Sequence, residues 1–206
     1  MEMDSLFSFI ALTTLLALSP GPDNLYVLMQ SALHGRMAGI WVTLGLCTGL
    51  IVHTTAVSLG IAVLFQTSLL AFTLLKFIGV GYLFYLAWQA FKAASIHLTS
   101  GTAKALSPGQ LYRRGVLMNL TNPKVSIFFL AFLPQFINTS HGQITQQTWA
   151  LGLSVILITL LVFGGIALLA GLVKQVNDSP KIQRRLHQTT AFVLAGLAIK
   201  LAVTER

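Results

Sequence analysis

Acidic residues are scarce in this chain of 206 residues: there are five, and only 9% of all residues are charged. An ordinary soluble domain is about a quarter charged, so a water-facing surface of normal extent is excluded. The single cysteine, Cys47, excludes a disulfide within one chain and reads as a small core hydrophobe. No GxxxxGK[ST] sequence occurs, which excludes ATP binding by a phosphate-cradling loop. The five histidines (His34, His53, His97, His141, His187) never fall at metal-ligand spacing, so neither a metal nor another cofactor is expected.

What the chain has instead is apolar sequence: 55% of its residues are hydrophobic and its mean hydropathy is +0.78. A bilayer-spanning helix needs about 20 largely apolar residues, and six runs qualify, approximately 5–34, 39–65, 69–92, 112–136, 148–173 and 187–203. The expected fold is an all-α polytopic membrane protein with six transmembrane helices, a single transmembrane domain over 1–206. The run Leu6–Leu18 has the length of a signal-peptide core. It is preceded by Glu2 and Asp4 rather than by bases, and "LSPGP" is a poor cleavage site, so it reads as a retained first helix.

Basic residues set the orientation. Arg36 falls between spans 1 and 2; Lys92, Lys104, Arg113 and Arg114 between 3 and 4; Lys174, Lys181, Arg184 and Arg185 between 5 and 6. The loops 66–69 and 135–147 carry none. The basic loops are therefore expected in the cytoplasm and both termini outside. The formal charge of +8 is thus a topology signal; its residues are scattered, without the aromatic interleaving or module of a nucleic-acid binder.

Charges inside spans cost about 2.5–3.5 kcal/mol each on the lenient insertion scale. Asp23 is the only acid within a span; among the bases, Lys124 lies in the fourth span and Lys76 in the third. Asp23 stands in "SPGPDN" (19–24) and Lys124 in "TNPKVS" (121–126), and the two segments align so that Pro22 meets Pro123 and Asp23 meets Lys124. Spans 1 and 4 open two three-helix halves, approximately 1–95 and 108–206. An odd number of crossings reverses the second copy, which is the plan of an inverted repeat.

Proline lacks an N–H and clashes with the preceding turn, so Pro20, Pro22 and Pro123 should free carbonyls near residues 16–18 and 119. Pro22 and Pro123 are also suited to start new half-helices. Gly21 lies between the first two prolines, and Ser19, Asn24, Asn119, Asn122 and Thr121 add hydrogen-bonding groups nearby. A plain proline kink, satisfied by neighbouring helices, is the structural alternative.

The stretches "LALSPGPDNLYVLMQSALHGRMAGI", "LLKFIGVGYLFYLAWQAFK" and "GVLMNLTNPKVSIFFLAFLPQFI" resemble the LysE/RhtB amino-acid exporter family, also called LysE-type translocators. The likeness covers nearly the whole chain, and its PGP and NPK motifs are specific. It implies a six-helix carrier in the bacterial inner membrane; with the basic loops in the cytoplasm both termini would be periplasmic, and the missing ATP loop argues for a secondary transporter rather than an enzyme. The implied activity is efflux of an amino acid or derivative driven by an ion gradient, with the proton expected. On that reading Ser19, Gly21, Asp23, Asn24, Asn119, Asn122 and Lys124 bind substrate. Asp23 would face the ammonium and Lys124 the carboxylate, and the two side chains would pair with each other when the site is empty.

Other residues carry two readings each. His53 is a proton carrier, coupling transport together with Asp23, or a core histidine donating one hydrogen bond. Lys76 lines the cavity or snorkels to the outer interface. "GLCTG" (45–49) and "GRMAG" (35–39) are small-xxx-small patterns that pack helices within the chain or form a homodimer. Export of a metal or other small ion is the alternative within transport, though one acid and two lysines make a poor cation site. An intramembrane hydrolase would need a nucleophile with a base or a carboxylate pair, and Asp23 has no second acid in any span; a purely structural membrane subunit would tolerate neutral residues at 23 and 124.

Overall fold

The computed structural model describes residues 3–19, 21–67, 69–92, 106–138 and 142–170, with single positions between 185 and 203. Expectations on Pro20, the side chain of Lys76, the bases 104, 174, 181 and 184, and residues 187, 190, 193, 194, 197, 200 and 201 of the sixth run lie outside the described residues.

Every described element is helical: α1 (Met3–Leu18), α2 (Pro22–His34), α3 (Arg36–Thr67), α4 (Leu69–Lys92), α5 (Pro108–Thr121), α6 (Pro123–Ile127) and α7 (Ile144–Leu168). Between α6 and α7 the chain continues as a π-helical turn, Phe128–Phe132, and a 3-10 turn, Leu133–Phe136. Among the described residues two helices are long and apolar enough to cross a membrane, Arg36–Gly60 and Ile144–Leu168. Two bent pairs pass the same test together, which brings the number to four if each pair is one span.

Both bends fall at the proline motifs. α1 and α2 meet at 56°, and α5 meets the arm Pro123–Phe136 at 51°. Pro22 and Pro123 each stand in the first turn of the helix that follows the break, where a missing N–H costs nothing. Gly21 precedes α2 in extended backbone.

Helix starts differ from the apolar runs where polar caps decide them. α5 begins at Pro108, ahead of the expected 112, because Ser107 and Gln110 close a capping box. Ser107 N–H donates to Gln110 Oε1 at 2.9 Å, and Gln110 N–H donates to Ser107 Oγ at 3.4 Å. Reciprocal caps of this kind satisfy two orphan donors, so the helix extends beyond its apolar part.

α3 is the centre of the bundle, packed against α2, α5 and α7. Its glycines make that possible: a Cβ on Gly45 would strike the carbonyl of Tyr112, and one on Gly115 the carbonyl of Val42. Gly39 lies against Ser31 and Ala167, and Gly49 against Asn119. The small-xxx-small positions 39, 45 and 49 are thus spent on packing within the chain, as in close membrane-helix crossings.

Two apolar clusters fill the interior. One gathers Phe9, Leu50, Phe128, Phe129, Phe132 and Phe136 with Leu151 and Val155; the other joins Val27, Val42, Leu46, Leu111 and Phe163. Large apolar side chains such as Phe7, Leu59, Trp88 and Leu161 point outward, as a lipid-facing surface requires.

Candidate functional site

The two breaks meet each other. Three carbonyls around the end of α1 are left at the break, that of Leu16 because Pro20 has no N–H and those of Ala17 and Ser19 because the helix ends there, and polar side chains from both bent pairs take them up. Lys124 Nζ donates to Leu16 O at 2.7 Å and to Ser19 O at 3.1 Å. Asn24 Nδ2 donates to Ala17 O at 2.6 Å. At the second break, the carbonyl of Asn119 accepts from Asn122 N–H at 3.1 Å and lies 3.4 Å from His53 Nε2.

Asn122 joins the two sides. Its Nδ2 donates to Asp23 Oδ2 at 2.8 Å, and its Oδ1 accepts from the backbone N–H of Lys124 at 3.0 Å. Asp23, Asn119 and Asn122 are all buried, and Lys124 is half-buried. Buried carboxylates persist only when paired or hydrogen-bonded, and one oxygen of Asp23 is provided for. The other, Oδ1, has no partner.

This arrangement corrects one expectation. Asp23 and Lys124 do not pair in the empty site: the carboxylate is bonded to Asn122 and the ammonium to two carbonyls. The physical reason is the break itself. Carbonyls stranded in an apolar interior compete for the lysine N–H groups, and an amide supplies the carboxylate with a neutral donor. Lys124, with three donors, keeps one N–H beyond its two carbonyls.

A cavity of about 60 Å3 opens beside these groups, lined by Asp23, Asn24, Asn119 and Lys124 from the polar motifs and by Thr13, Thr159, Leu50, Phe128, Phe129 and Phe163 among others. That is room for a few water-sized groups. Of the remaining residues expected to bind, Ser19 contributes its carbonyl to Lys124, and Asn122 stands behind Asp23. Gly21 approaches Lys124: a Cβ there would lie 3.8 Å from Nζ. His53 is not in the cavity wall. Its ring stacks on Phe129 at 5.4 Å between centroids, one residue removed from the space.

Thr13, Thr159 and the three phenylalanines were not expected from the sequence. The phenylalanines follow the NPK motif or sit mid-helix in α7, where nothing separates them from core residues. The π-helical turn at Phe128–Phe132 is equally silent in the sequence, although such turns gather at functional sites.

Two bent helices whose breaks are cross-linked by buried polar side chains, beside a small cavity inside an apolar bundle, define a helical membrane protein with a polar site in its interior. Comparison with known proteins agrees. The LysE type translocator family matches residues 14–205, and the chain belongs to that family. The homoserine/homoserine lactone efflux protein of Salmonella typhimurium is 35% identical over 198 residues, covering 95% of this chain and 96% of that protein. The uncharacterized membrane protein YrhP of Bacillus subtilis is 30% identical, covering 98% and 100% of the two chains. An uncharacterized membrane protein of Vibrio cholerae is 30% identical over the full length of both. No solved structure matches.

Proposed function

We propose that this protein is a secondary exporter of a small amino acid or its derivative, working across the bacterial inner membrane. The observation that carries the reading is Asp23, a buried carboxylate inside the membrane with one oxygen bonded to Asn122 and the other unpartnered, in the wall of a cavity shared with Lys124. A group that costs this much to bury marks a pathway for something able to answer its charge. Substrate ammonium meets Asp23, and substrate carboxylate takes the remaining N–H of Lys124. Ser19, Gly21, Asn24, Asn119 and Asn122 shape that site.

The relatives named for homoserine and homoserine lactone efflux make those two compounds the first candidates. Energy comes from the proton gradient through Asp23, with His53 behind it by way of Asn119. Six spans in two inverted halves, about 1–95 and 108–206, complete the carrier: α4 and the segment 187–203 supply the spans beyond the bent pairs, α3 and α7. The basic loops lie in the cytoplasm and both termini in the periplasm, and the homodimer is not needed to complete the site.

The test is efflux of a panel of radiolabelled amino acids, homoserine and its lactone included, from cells with and without the protein. Faster export of at least one member supports the reading. Equal efflux across the whole panel overturns it.

A further inference from the structure

Five buried side-chain atoms among the described residues have no hydrogen-bond partner, and three of them belong to residues of the same cavity wall: Thr13 Oγ1, Asp23 Oδ1 and Asn119 Oδ1. All three residues are at least nine-tenths buried, with exposures of 3%, 5% and 2%. Native proteins leave few buried polar atoms unpaired, and each such atom forfeits its hydration for nothing. Three in one wall call for a common occupant.

Thr13 is the informative member. A threonine in a membrane helix ordinarily satisfies itself by donating to the carbonyl four residues back. Thr14, Thr43, Thr54, Thr55 and Thr148 all do so here, at 2.8–2.9 Å. Thr13 does not, although its neighbour in the same helix does. Its hydroxyl is therefore held away from the backbone, on the side of the helix that lines the cavity.

The carboxylate and amide oxygens accept only, and the hydroxyl oxygen, though it can also donate, accepts as well, so one occupant can serve all three as a donor. Their occupant must donate. A water molecule has two O–H donors and leaves the Asp23 charge uncompensated. A bare metal cation of the hard kind seeks six or more oxygens, twice what is free. A primary ammonium has three N–H donors, no acceptor and one positive charge.

We propose that Thr13, Asp23 and Asn119 form a three-acceptor cradle for a primary ammonium group, with Thr13 as the residue that makes the carrier specific for primary over N-substituted amines. The inference rests on the proposed export of amino acids and deepens it. Recognition centres on the ammonium, so free amino acids and carboxyl derivatives such as esters and lactones are bound alike, while each N-methyl group removes one donor and leaves one acceptor unpaired. Lys124, already bonded to two carbonyls, contributes less.

The experiment is equilibrium binding of radiolabelled L-homoserine to the purified full-length protein, competed by L-homoserine lactone, N-methyl-L-homoserine and N,N-dimethyl-L-homoserine. The lactone should compete comparably with homoserine, the N-methyl compound about tenfold less well and the dimethyl compound less again, the loss of one charge-assisted hydrogen bond at a time. Thr13→Val should weaken homoserine binding about tenfold and narrow the gap between homoserine and its N-methyl form, whereas Thr13→Ser, which keeps the hydroxyl, should preserve both. Equal competition by the methylated series overturns the cradle, and because that arm uses the unaltered protein it holds even where Thr13→Val fails to fold. Displacement of homoserine by sodium chloride, but not by an equal concentration of choline chloride, likewise overturns it in favour of a sodium site. Failure of homoserine and of every primary amine in the efflux panel to bind overturns the proposed function itself, a result distinct from binding that ignores N-methylation.

Discussion

Asn122, in the break of the second bent helix, donates its side-chain amide to Asp23 Oδ2 in the first at 2.8 Å, across 99 positions of sequence. One asparagine thereby holds the two breaks at a fixed distance and turns the second carboxylate oxygen toward the unfilled side. Asn122 is a positioning residue on this account. Asn122→Ala should leave Asp23 without its neutral donor, weakening substrate binding and lowering stability by about 1–3 kcal/mol. Asn122→Asp, which sets a second carboxylate against the first, should be worse than alanine. Thermal unfolding of the purified variants checks the order.

Lys124 serves the fold before it serves any ligand. Its amine caps the carbonyls of Leu16 and Ser19, so Lys124→Met leaves two stranded acceptors and should reduce both membrane yield and melting temperature. Lys124→Arg retains donors and should recover part of the yield. A methionine variant as stable as the parent would show that these carbonyls find other partners.

How much of this was legible in the sequence depends on what each feature needs. The breaks were, because a proline has no N–H wherever it stands, and Pro22 and Pro123 do open new helices at bends of 56° and 51°. Free carbonyls near residues 16–18 follow from the same local reason, which covers Leu16 and Ala17 but not the carbonyl of Ser19, which Lys124 also takes up. What takes them up was not legible, since that depends on which distant side chain arrives: Lys124 came, and its expected pairing with Asp23 gave way. Thr13 was invisible because nothing in the sequence distinguishes a threonine that bonds its own helix from one that does not. The early start of α5 at Pro108 was readable from Ser107 and Gln110, but apolarity alone placed it at 112.

Close helix contact gives a prediction independent of function. Gly45→Ala and Gly115→Ala each place a methyl group against backbone of the facing helix, and overpacking of this kind costs about 1–3 kcal/mol. Gly109→Ala, where a Cβ meets nothing, should be neutral. Melting temperatures of the three in one detergent decide the matter; equal values would contradict the contact between α3 and α5.

Orientation is testable at two exposed positions. In a background with Cys47→Ala, a membrane-impermeant thiol reagent added to intact cells should label Gln146→Cys and spare Gly109→Cys. The reverse pattern overturns the cytoplasmic placement of the basic loops.

Coupling is tested by collapsing gradients one at a time. A protonophore should abolish concentrative efflux, and removal of sodium should leave it intact. Efflux that survives the protonophore and stops without sodium would replace the proton.

The central claim is that the unpartnered oxygen of Asp23 receives the substrate ammonium, and Asp23→Asn examines it at one atom. The asparagine keeps the shape of the side chain and can still accept from Asn122 through its oxygen, while an NH2 group, a donor, takes the place of Oδ1. The measurement is binding of the exported amino acid to purified Asp23→Asn protein, beside a melting curve to show that the fold is retained. The account predicts no detectable binding at concentrations that saturate the unaltered protein, with the melting temperature nearly unchanged. Binding as tight as that of the unaltered protein would contradict it.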